Sequence, residues 1–361
     1  MPKVVISGYY GFHNSGDEAI LFAMTQALRR IIPDLEITVL SREPEYTRRE
    51  FQVYSVSRDN PWDVFQAVRQ ADLLISGGGG LLQDVTSPRS IIYYLGVIVM
   101  ALMTRTPVFC YAQGIGPIHT GFGKKAVRLV INRVRGITVR DEDSKQELLA
   151  MGVELPTILT TADPVLGLDP SSVDRQLGRD ILTSLGMGNG PLAGISVISR
   201  KGLSHYKEVM AQAADDLLAA GWQVLLVPMH NPVDIEPCRE VAALMSKKPV
   251  VLDASTRYKE LLSIAANLDL AVGMRLHFLI FSALFGVPLI GISYDPKVDR
   301  FLQLLGQTPD LHVSDLDYAQ LSQRIKHVTE NREAVSSSIY EKVNCLREQA
   351  LVNASKVAKL L

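Results

Sequence analysis

Short apolar strands alternate with helices along most of this 361-residue chain. The first series of strands occupies residues 3–7 (KVVIS), 36–40, 72–76 (DLLIS), 107–112 (PVFCYA) and 136–140. Strands that alternate with helices form parallel sheets with both faces covered. The sequence therefore predicts an α/β fold built on a doubly wound parallel sheet.

A second series of the same kind follows, with strands at residues 192–197, 223–228, 250–252, 268–272 and 288–293. The chain is also longer than one hydrophobic core ordinarily fills, so we expect two domains. The layout is GT-B-like: two Rossmann-like domains face a cleft, where ligands sit at the carboxyl ends of the strands. The predicted bounds are 1–165 for the first domain, 166–190 for a linker region rich in Asp, Pro, Gly and Ser, 191–316 for the second domain, and 317–361 for C-terminal helices that can cross back to the first domain.

Composition narrows the classes of function. A formal net charge of −1 argues against a nucleic-acid-binding protein. The three cysteines show no paired spacing, which disfavours disulfides and a zinc site and fits the cytoplasm. Residues 1–3 lead directly into a strand, so no signal peptide is expected. The most apolar run, residues 90–104, is too short to span a bilayer and predicts a buried helix, so any contact with a membrane would be peripheral.

Residues 271–300 (AVGMRLHFLIFSALFGVPLIGISYDPKVDR) hold the most informative pattern. They predict a strand, a tight turn at Gly273, a short apolar helix, a second strand and a polar exit loop. Arg275 and His277 stand in the first turn of that helix, and Tyr294 and Lys297 follow the next strand. Cations without a partner are costly beside an apolar core, so an anionic ligand is expected here. A buried, hydrogen-bonded histidine is the alternative for His277.

Two glycine-rich segments follow strands of the first half. In residues 8–16 and the helix start beyond them, Asn14 and Asp17 add polar groups that a tight turn does not need, although a simple turn remains the alternative. In residues 77–80, Gly78 and Gly79 allow close approach of a ligand or another backbone. Asp84 then predicts a group that binds a sugar hydroxyl or accepts its proton, or one that caps the following helix.

Two further strand ends carry polar groups. Gln113 begins the segment QGIGP, and Arg140 ends the last strand of the first half beside Asp141. An exposed ion pair is the ordinary explanation of such a dipeptide, but the strand-end position favours ligand binding by Arg140. The histidines show no mutual spacing that would indicate a metal site, and no metal or cofactor is expected.

Five blocks together resemble the polysaccharide pyruvyl transferases, most closely the CsaB type: GFHNSGDEAI, SGGGGLLQD, AQGIGP, VRDEDS and GMRLHFLIFSALFGVPLIGISYDPKVDRF. The resemblance implies transfer of the pyruvyl group of phosphoenolpyruvate, as a co-substrate, to a sugar, with formation of a cyclic ketal. The implied acceptor is N-acetylmannosamine of a lipid-linked cell-wall polymer precursor used in S-layer anchoring, with the enzyme at the inner face of the cell membrane.

The same resemblance implies roles for individual residues. His277 would be the catalytic acid, Arg140 and Arg275 would bind the donor, and Lys297 would bind it or stabilise charge. Two other functions stay open on the residues alone: a nucleotide-sugar glycosyltransferase with the same fold, and a non-enzymatic carbohydrate-sensing protein. A dinucleotide oxidoreductase is disfavoured because the glycine spacing is not GxGxxG.

Overall fold

The computed structural model describes residues 1–84, 88–188 and 190–361. These residues divide into two units. Unit 1 comprises Met1–Phe12, Asp17–Leu168 and Leu346–Leu361, and unit 2 comprises His13–Gly16 and Asp169–Cys345. Helices at the C-terminus follow the second sheet, as predicted.

Unit 1 contains a parallel sheet of eight strands in the order β3-β2-β1-β4-β6-β7-β8, with β5 paired to β6. Apart from the edge strands β3 and β8, the apolar strand residues are buried on both faces, as expected for a sheet that helices cover. The strands are β1 (Lys3–Ser7), β2 (Glu36–Ser41), β3 (Tyr54–Ser57), β4 (Leu73–Ser76), β5 (Gly79–Leu82), β6 (Val108–Ile115), β7 (Gly136–Val139) and β8 (Ile158–Thr160).

Three helices of unit 1 begin where a side chain satisfies one of their first N–H groups. Asn60, Thr120 and Asp141 each accept a hydrogen bond from the first turn of the helix that follows. The helices are α1 (Ser15–Ile31), whose first two residues count with unit 2, α2 (Pro44–Phe51), α3 (Pro61–Arg69), α4 (Pro88–Thr104), α5 (Gly121–Ile131) and α6 (Glu142–Ala150).

Unit 2 contains a five-stranded parallel sheet in the order β11-β10-β9-β12-β13. Its strands are β9 (Leu192–Ser196), β10 (Gln223–Leu226), β11 (Val250–Val251), β12 (Leu270–Gly273) and β13 (Leu289–Gly291). The remaining helices are α7 (Arg175–Ser184), α8 (His205–Ala219), α9 (Ile235–Leu244), α10 (Tyr258–Ala265), α11 (Leu276–Leu284), α12 (Pro296–Leu304), α13 (Tyr318–Glu330) and α14 (Arg332–Ala358), whose last residues count with unit 1. The predicted doubly wound α/β fold is confirmed.

The segment predicted as a linker, residues 166–190, contains α7 in the structure. Asp174 caps this helix, and α7 packs against α10 within unit 2. Gly178 makes the packing close, because a Cβ atom there would lie 2.2 Å from the Ser263 carbonyl oxygen. Asn189, at the end of the same segment, lies outside the described residues.

Helix α4 differs from the buried helix that its apolar sequence predicts. One face packs into the unit 1 core through residues such as Leu95 and Ile98. The opposite face is open, with Ile92, Val99 and Met103 exposed by 55%, 38% and 79%. An uncharged, apolar sequence of this length predicts burial on all sides. In the structure, α3 and α5 pack beside α4 and leave its outer face uncovered.

Candidate functional site

Polar side chains gather at the carboxyl edge of the unit 2 sheet. Strands β9, β12 and β13 end at this edge in register, with Gly273 opposite both Ser196 and Gly291. Helix α11 follows β12, and every one of its residues except His277 is buried. In this nearly all-apolar helix, the His277 imidazole in the first turn is therefore the one side chain that is not buried.

Gly273 is the last residue of β12, so the prediction of a tight turn there is wrong. A Cβ atom at this position would lie 2.6 Å from Cδ1 of Phe278. Glycine is needed because the Phe278 ring of α11 packs directly onto the end of β12, the strand that precedes this helix. This close packing helps to hold the first turn of α11, and with it His277, at the sheet edge.

Arg275, the N-cap residue of α11, forms a two-pronged ion pair with Asp234. Its Nε lies 2.8 Å from Asp234 Oδ2, and its Nη2 donates to Oδ1. Although burial lowers the pKa of Arg275, the hydrogen bonds and charge of Asp234 raise it above the ordinary value. The guanidinium charge is thus retained but locally neutralised.

Asp234 also fixes the loop after β10. The fully buried carboxylate accepts hydrogen bonds from the backbone N–H groups of Met229, at 3.2 Å, and His230, at 2.9 Å. Arg275 therefore holds this loop through Asp234 in addition to carrying charge.

The loop in turn holds His13–Gly16, the N-terminal segment that belongs to unit 2. Ser15 N–H donates to the Met229 carbonyl at 3.0 Å, and Asn14 forms a β-bridge with His230. Gly16, in the first turn of α1, lies against the imidazole: a Cβ atom there would be 2.2 Å from Nδ1 of His277. The site thus combines the first turns of two helices, α1 and α11.

Tyr294 lies among cations. The Arg200 guanidinium and the Lys297 ammonium lie 5.5 and 5.3 Å from its ring centroid. Lys297 also pairs with Asp295, at 3.4 Å. The predicted polar exit loop is wrong here, because Asp295 caps a helix, α12, and Lys297 stands in its first turn.

Arg200 is exposed on a turn after β9, where it forms a β-bridge with Leu203. Within the described ranges, no carboxylate lies within ion-pair distance of its guanidinium. With Arg275 matched by Asp234 and Lys297 by Asp295, Arg200 leaves one uncompensated positive charge beside Tyr294. This arrangement suits an anionic ligand.

Arg140 lies in unit 1 and is buried, so the alternative of an exposed ion pair is wrong. Its Nη1 lies 3.3 Å from Asp163 Oδ2, and its Nε lies 3.7 Å from Asp141 Oδ2. The guanidinium also packs against Gly114, where a Cβ atom would be 2.6 Å from Cζ. Two carboxylates therefore compensate its charge.

The second glycine-rich segment, residues 77–80, is half strand. Gly79 begins β5 with a φ of +99°, a conformation that favours glycine. A Cβ atom there would lie 3.1 Å from Asp17 Oδ1, and one on Gly78 would be 3.0 Å from Ile20. Gln113 donates to the carbonyls of Ser76 and Gly77, at 2.9 and 2.6 Å, so its amide holds this segment in place.

Asp84 holds the loop before α5. It accepts hydrogen bonds from the N–H groups of His119 and Thr120, both at 2.9 Å, and from the Thr120 hydroxyl at 2.7 Å. Burial acts to raise the pKa of Asp84, but these hydrogen bonds hold it below its ordinary value. The carboxylate is therefore ionised at neutral pH and is a weak proton acceptor.

The structure places the predicted residues in two sets. Unit 2 brings together Asn14, Gly273, Arg275, His277, Tyr294 and Lys297, and unit 1 holds Asp17, Gly78, Gly79, Asp84, Gln113 and Arg140. Sequence reasoning missed Asp234, Arg200 and Asp163. Asp234 and Arg200 follow buried strands, which is a usable signal, but nothing in their spacing identifies their partners.

Comparison with known proteins adds the family. The sequence model described as polysaccharide pyruvyl transferase matches residues 14–296. The chain is also 21% identical to the amylovoran biosynthesis protein AmsJ of Erwinia amylovora, over 98% of each chain.

Several solved structures share the fold. The HepE protein of Anabaena, in complex with UDP-glucose, is 13% identical with a TM-score of 0.67 over 99% of each chain. The S. aureus MnaA-UDP structure is 11% identical with a TM-score of 0.70, over 99% of this chain and 95% of that one. The UDP-GlcNAc 2-epimerase of Neisseria meningitidis is 10% identical with a TM-score of 0.67, over 99% of this chain and 100% of that one.

The structural likeness shows the fold. The family match covers most of the chain and includes every predicted site residue except Lys297, which follows the end of the match at residue 296. The transferase activity follows from that match and from the biosynthetic relative. The chain belongs to the polysaccharide pyruvyl transferase family.

Proposed function

We propose that this transferase takes the pyruvyl group from phosphoenolpyruvate and places it on N-acetylmannosamine of a lipid-linked cell-wall polymer precursor, as in the CsaB type. The product is a cyclic ketal used in S-layer anchoring, and the reaction occurs at the inner face of the cell membrane. The observation that supports the donor is the His277 imidazole, two residues after Arg275 in α11, together with the uncompensated charge of Arg200 beside Tyr294, which itself contacts Arg275.

Phosphoenolpyruvate suits this group of side chains chemically. It carries a phosphate and a carboxylate close together, which several cations and a helix N-terminus can bind. In the proposed reaction, His277 protonates the methylene carbon, and a sugar hydroxyl forms a bond to the adjacent carbon. The proton of that hydroxyl restores the acid. A second hydroxyl then attacks the same carbon as the bond to phosphate breaks, and its proton leaves with the phosphate.

Individual roles follow from the charge balance. Arg200 and Lys297 stabilise the departing phosphate, because Arg200 has no carboxylate partner among the described residues and Lys297 is only partly buried. Arg275 acts with Asp234 to position His277 and the His13–Gly16 segment. Arg140 keeps the donor-binding role that the family resemblance implies.

The decisive experiment measures phosphate release with phosphoenolpyruvate and an N-acetylmannosamine-containing acceptor. We expect His277→Ala to abolish release while the thermal shift caused by phosphoenolpyruvate is kept. His205→Ala, on the exposed start of α8, is the matched control and should turn over normally. Near-normal turnover of His277→Ala would remove the acid role.

Arg200 is tested separately through donor binding. Arg200→Ala should raise the KM for phosphoenolpyruvate by on the order of 10-fold, because it removes one charge-assisted contact to the phosphate. Arg200→Lys should recover part of this loss, and Lys201→Ala, on the same turn, should change KM little. An unchanged KM in Arg200→Ala would assign the phosphate to other cations.

A nucleotide-sugar glycosyltransferase is the second candidate, because the solved neighbours include complexes with UDP and UDP-glucose. A thermal-shift panel separates the two. We expect phosphoenolpyruvate to raise the melting temperature and UDP- or GDP-sugars to leave it unchanged. Stabilisation by a UDP-sugar alone would favour the glycosyltransferase.

A further inference from the structure

The open face of α4 is an apolar stripe on a surface helix. Ile92, Gly96, Val99 and Met103 recur at helical spacing and are all exposed. From residue 90 to residue 104 the helix contains no charged residue. Surface helices ordinarily carry polar or charged side chains on the face opposite the core. We call these four residues the α4 stripe.

The helices beside α4 also expose apolar side chains. α5 exposes Phe122 and Leu129, and α3 exposes Trp62. Both helices pack against α4. Within the residues that the structure describes, no helix is both long and apolar enough to cross a membrane. The exposed apolar side chains thus form a surface feature of unit 1, spread over three adjacent helices.

Positive charge accompanies the stripe. Residues 85–140 contain eight Lys or Arg and no Asp or Glu, although the whole chain has 37 basic and 38 acidic residues. On α5 and just after it, the exposed cations are Lys124, Lys125, Arg128, Arg133 and Arg135. The basic character ends at Asp141, where α6 introduces acidic side chains. A chain without overall positive charge therefore concentrates exposed basic residues on α5 and just after it, beside the uncharged α4.

We propose that α4 and α5 dock on an anionic lipid bilayer. In this arrangement α4 lies along the membrane surface with the α4 stripe in the headgroup region, and Lys124 and Lys125 contact lipid phosphates. The apolar side chains suit the boundary between headgroups and acyl chains, and the lysines suit the negative charge of the lipid headgroups. The inference deepens the proposed use of a lipid-linked acceptor, but it concerns a surface and does not depend on the chemistry of transfer.

A second copy of the chain fits this surface less well. A symmetric dimer through α4 would bring the lysines and arginines of both α5 helices near one another. Like charges at close range oppose such an interface. An anionic bilayer supplies the opposite charge over the whole surface.

The test is cosedimentation of the full chain with vesicles. We expect binding to vesicles of phosphatidylcholine with 30% phosphatidylglycerol, and weaker binding to them in 0.5 M salt. Binding to pure phosphatidylcholine should be weaker by about 10-fold or more. Lys124→Gln with Lys125→Gln should weaken binding by roughly 30-fold, since each lysine near such a surface contributes about a factor of five. Met103→Glu should also weaken it.

Matched controls lie in unit 2. Lys247→Gln with Lys248→Gln makes the same charge change at another exposed lysine pair, and Leu244→Glu places a charge on another exposed apolar residue. Both should bind vesicles like the unaltered chain. Absence of binding to anionic vesicles, or binding that the α4 and α5 variants leave unchanged, would overturn the proposal. A dimer in sedimentation velocity that Met103→Glu disrupts, without vesicle binding, would assign the surface to a second copy instead.

Phosphate release from a water-soluble acceptor separates this proposal from the proposed function. The α4 and α5 variants should keep normal turnover on such an acceptor, because their substitutions lie outside the residues proposed for catalysis. If the unaltered chain releases no phosphate but binds anionic vesicles, the proposed function fails and the membrane surface stands. If the unaltered chain releases phosphate but does not bind anionic vesicles, only the membrane proposal fails.

Discussion

Asp234 accepts four hydrogen bonds, two from Arg275 and one each from the N–H groups of Met229 and His230. This one buried carboxylate links the first turn of α11 to the loop after β10. Because that loop binds His13–Gly16, the position of Gly16 beside His277 depends on Asp234 as well. The side chain is thus a positioning residue for the site.

We predict that Asp234→Asn lowers the free energy of unfolding by about 3 kcal/mol, because it leaves the buried part of the Arg275 charge uncompensated. Urea denaturation measures the change. The control is Asp310→Asn, which breaks the partly exposed Arg324–Asp310 pair and should cost less than about 1 kcal/mol. Equal effects of the two substitutions would contradict the assigned role of Asp234.

Glu18 provides a prediction of pH dependence. Burial raises the pKa of Glu18 to about 8, although the Gly11 N–H donates to its Oε1 at 2.9 Å. The folded state therefore keeps the proton between pH 4.5 and about 8, while the unfolded state has lost it. The unfolded state then binds fewer protons, so stability should fall as pH rises through this window, by at most about 1.4 kcal/mol per pH unit.

Urea denaturation at pH 5, 6, 7 and 8 measures this slope. Glu18→Gln cannot ionise and should flatten it, whereas Glu45→Gln, at an exposed position of α2, should keep the slope of the unaltered chain. The explanation fails if Glu18→Gln and the unaltered chain lose stability in parallel.

Among the elements, α7 shows how a segment of loop-like composition becomes part of the packed structure. Its Asp174 cap supports the helix start, and its apolar residue Leu182 is buried. The Asp, Pro, Gly and Ser residues around it predict a linker because composition is averaged over the segment. The close contact of Gly178 with Ser263 of α10 is a tertiary feature that this average does not contain.

We predict that Gly178→Ala destabilises the chain by about 2 kcal/mol, because the added Cβ would overlap the Ser263 backbone. Gly188→Ala is the control, since its Cβ would meet nothing nearer than Thr183 Oγ1 at 4.0 Å. Chemical denaturation of both variants gives the comparison. If Gly178→Ala were neutral, α7 would not be packed closely on α10.

At the scale of the whole chain, the C-terminal residues Leu346–Leu361 belong to unit 1, which contains the first sheet. Asn353, in the part of α14 that belongs to unit 1, is fully buried and accepts a hydrogen bond from the Thr161 hydroxyl at 2.9 Å. Its side-chain amide also donates to the Ala162 carbonyl at 3.4 Å. Residues about 190 positions apart in sequence are thereby joined inside one unit.

We predict that Asn353→Ala lowers the free energy of unfolding by about 2 kcal/mol, because it removes these hydrogen bonds and leaves their buried partners less satisfied. Ser355→Ala, at an exposed position of the same helix, should change stability by less than about 0.5 kcal/mol. Thermal and urea denaturation measure both variants. Similar values for the two would show that the buried amide contributes little.

The sequence by itself determined the α/β class, the two parallel sheets and the place of His277 in the first turn of an apolar helix. These features depend on hydrophobic period and local spacing, which neighbouring residues carry. Tertiary structure alone decided the partners of the charges, such as Asp234 for Arg275 and Asp163 for Arg140. It also decided that Gly16 lies against His277 and that one face of α4 is open. The reason is physical: such contacts join residues far apart in the chain, and packing of the whole unit sets their distances.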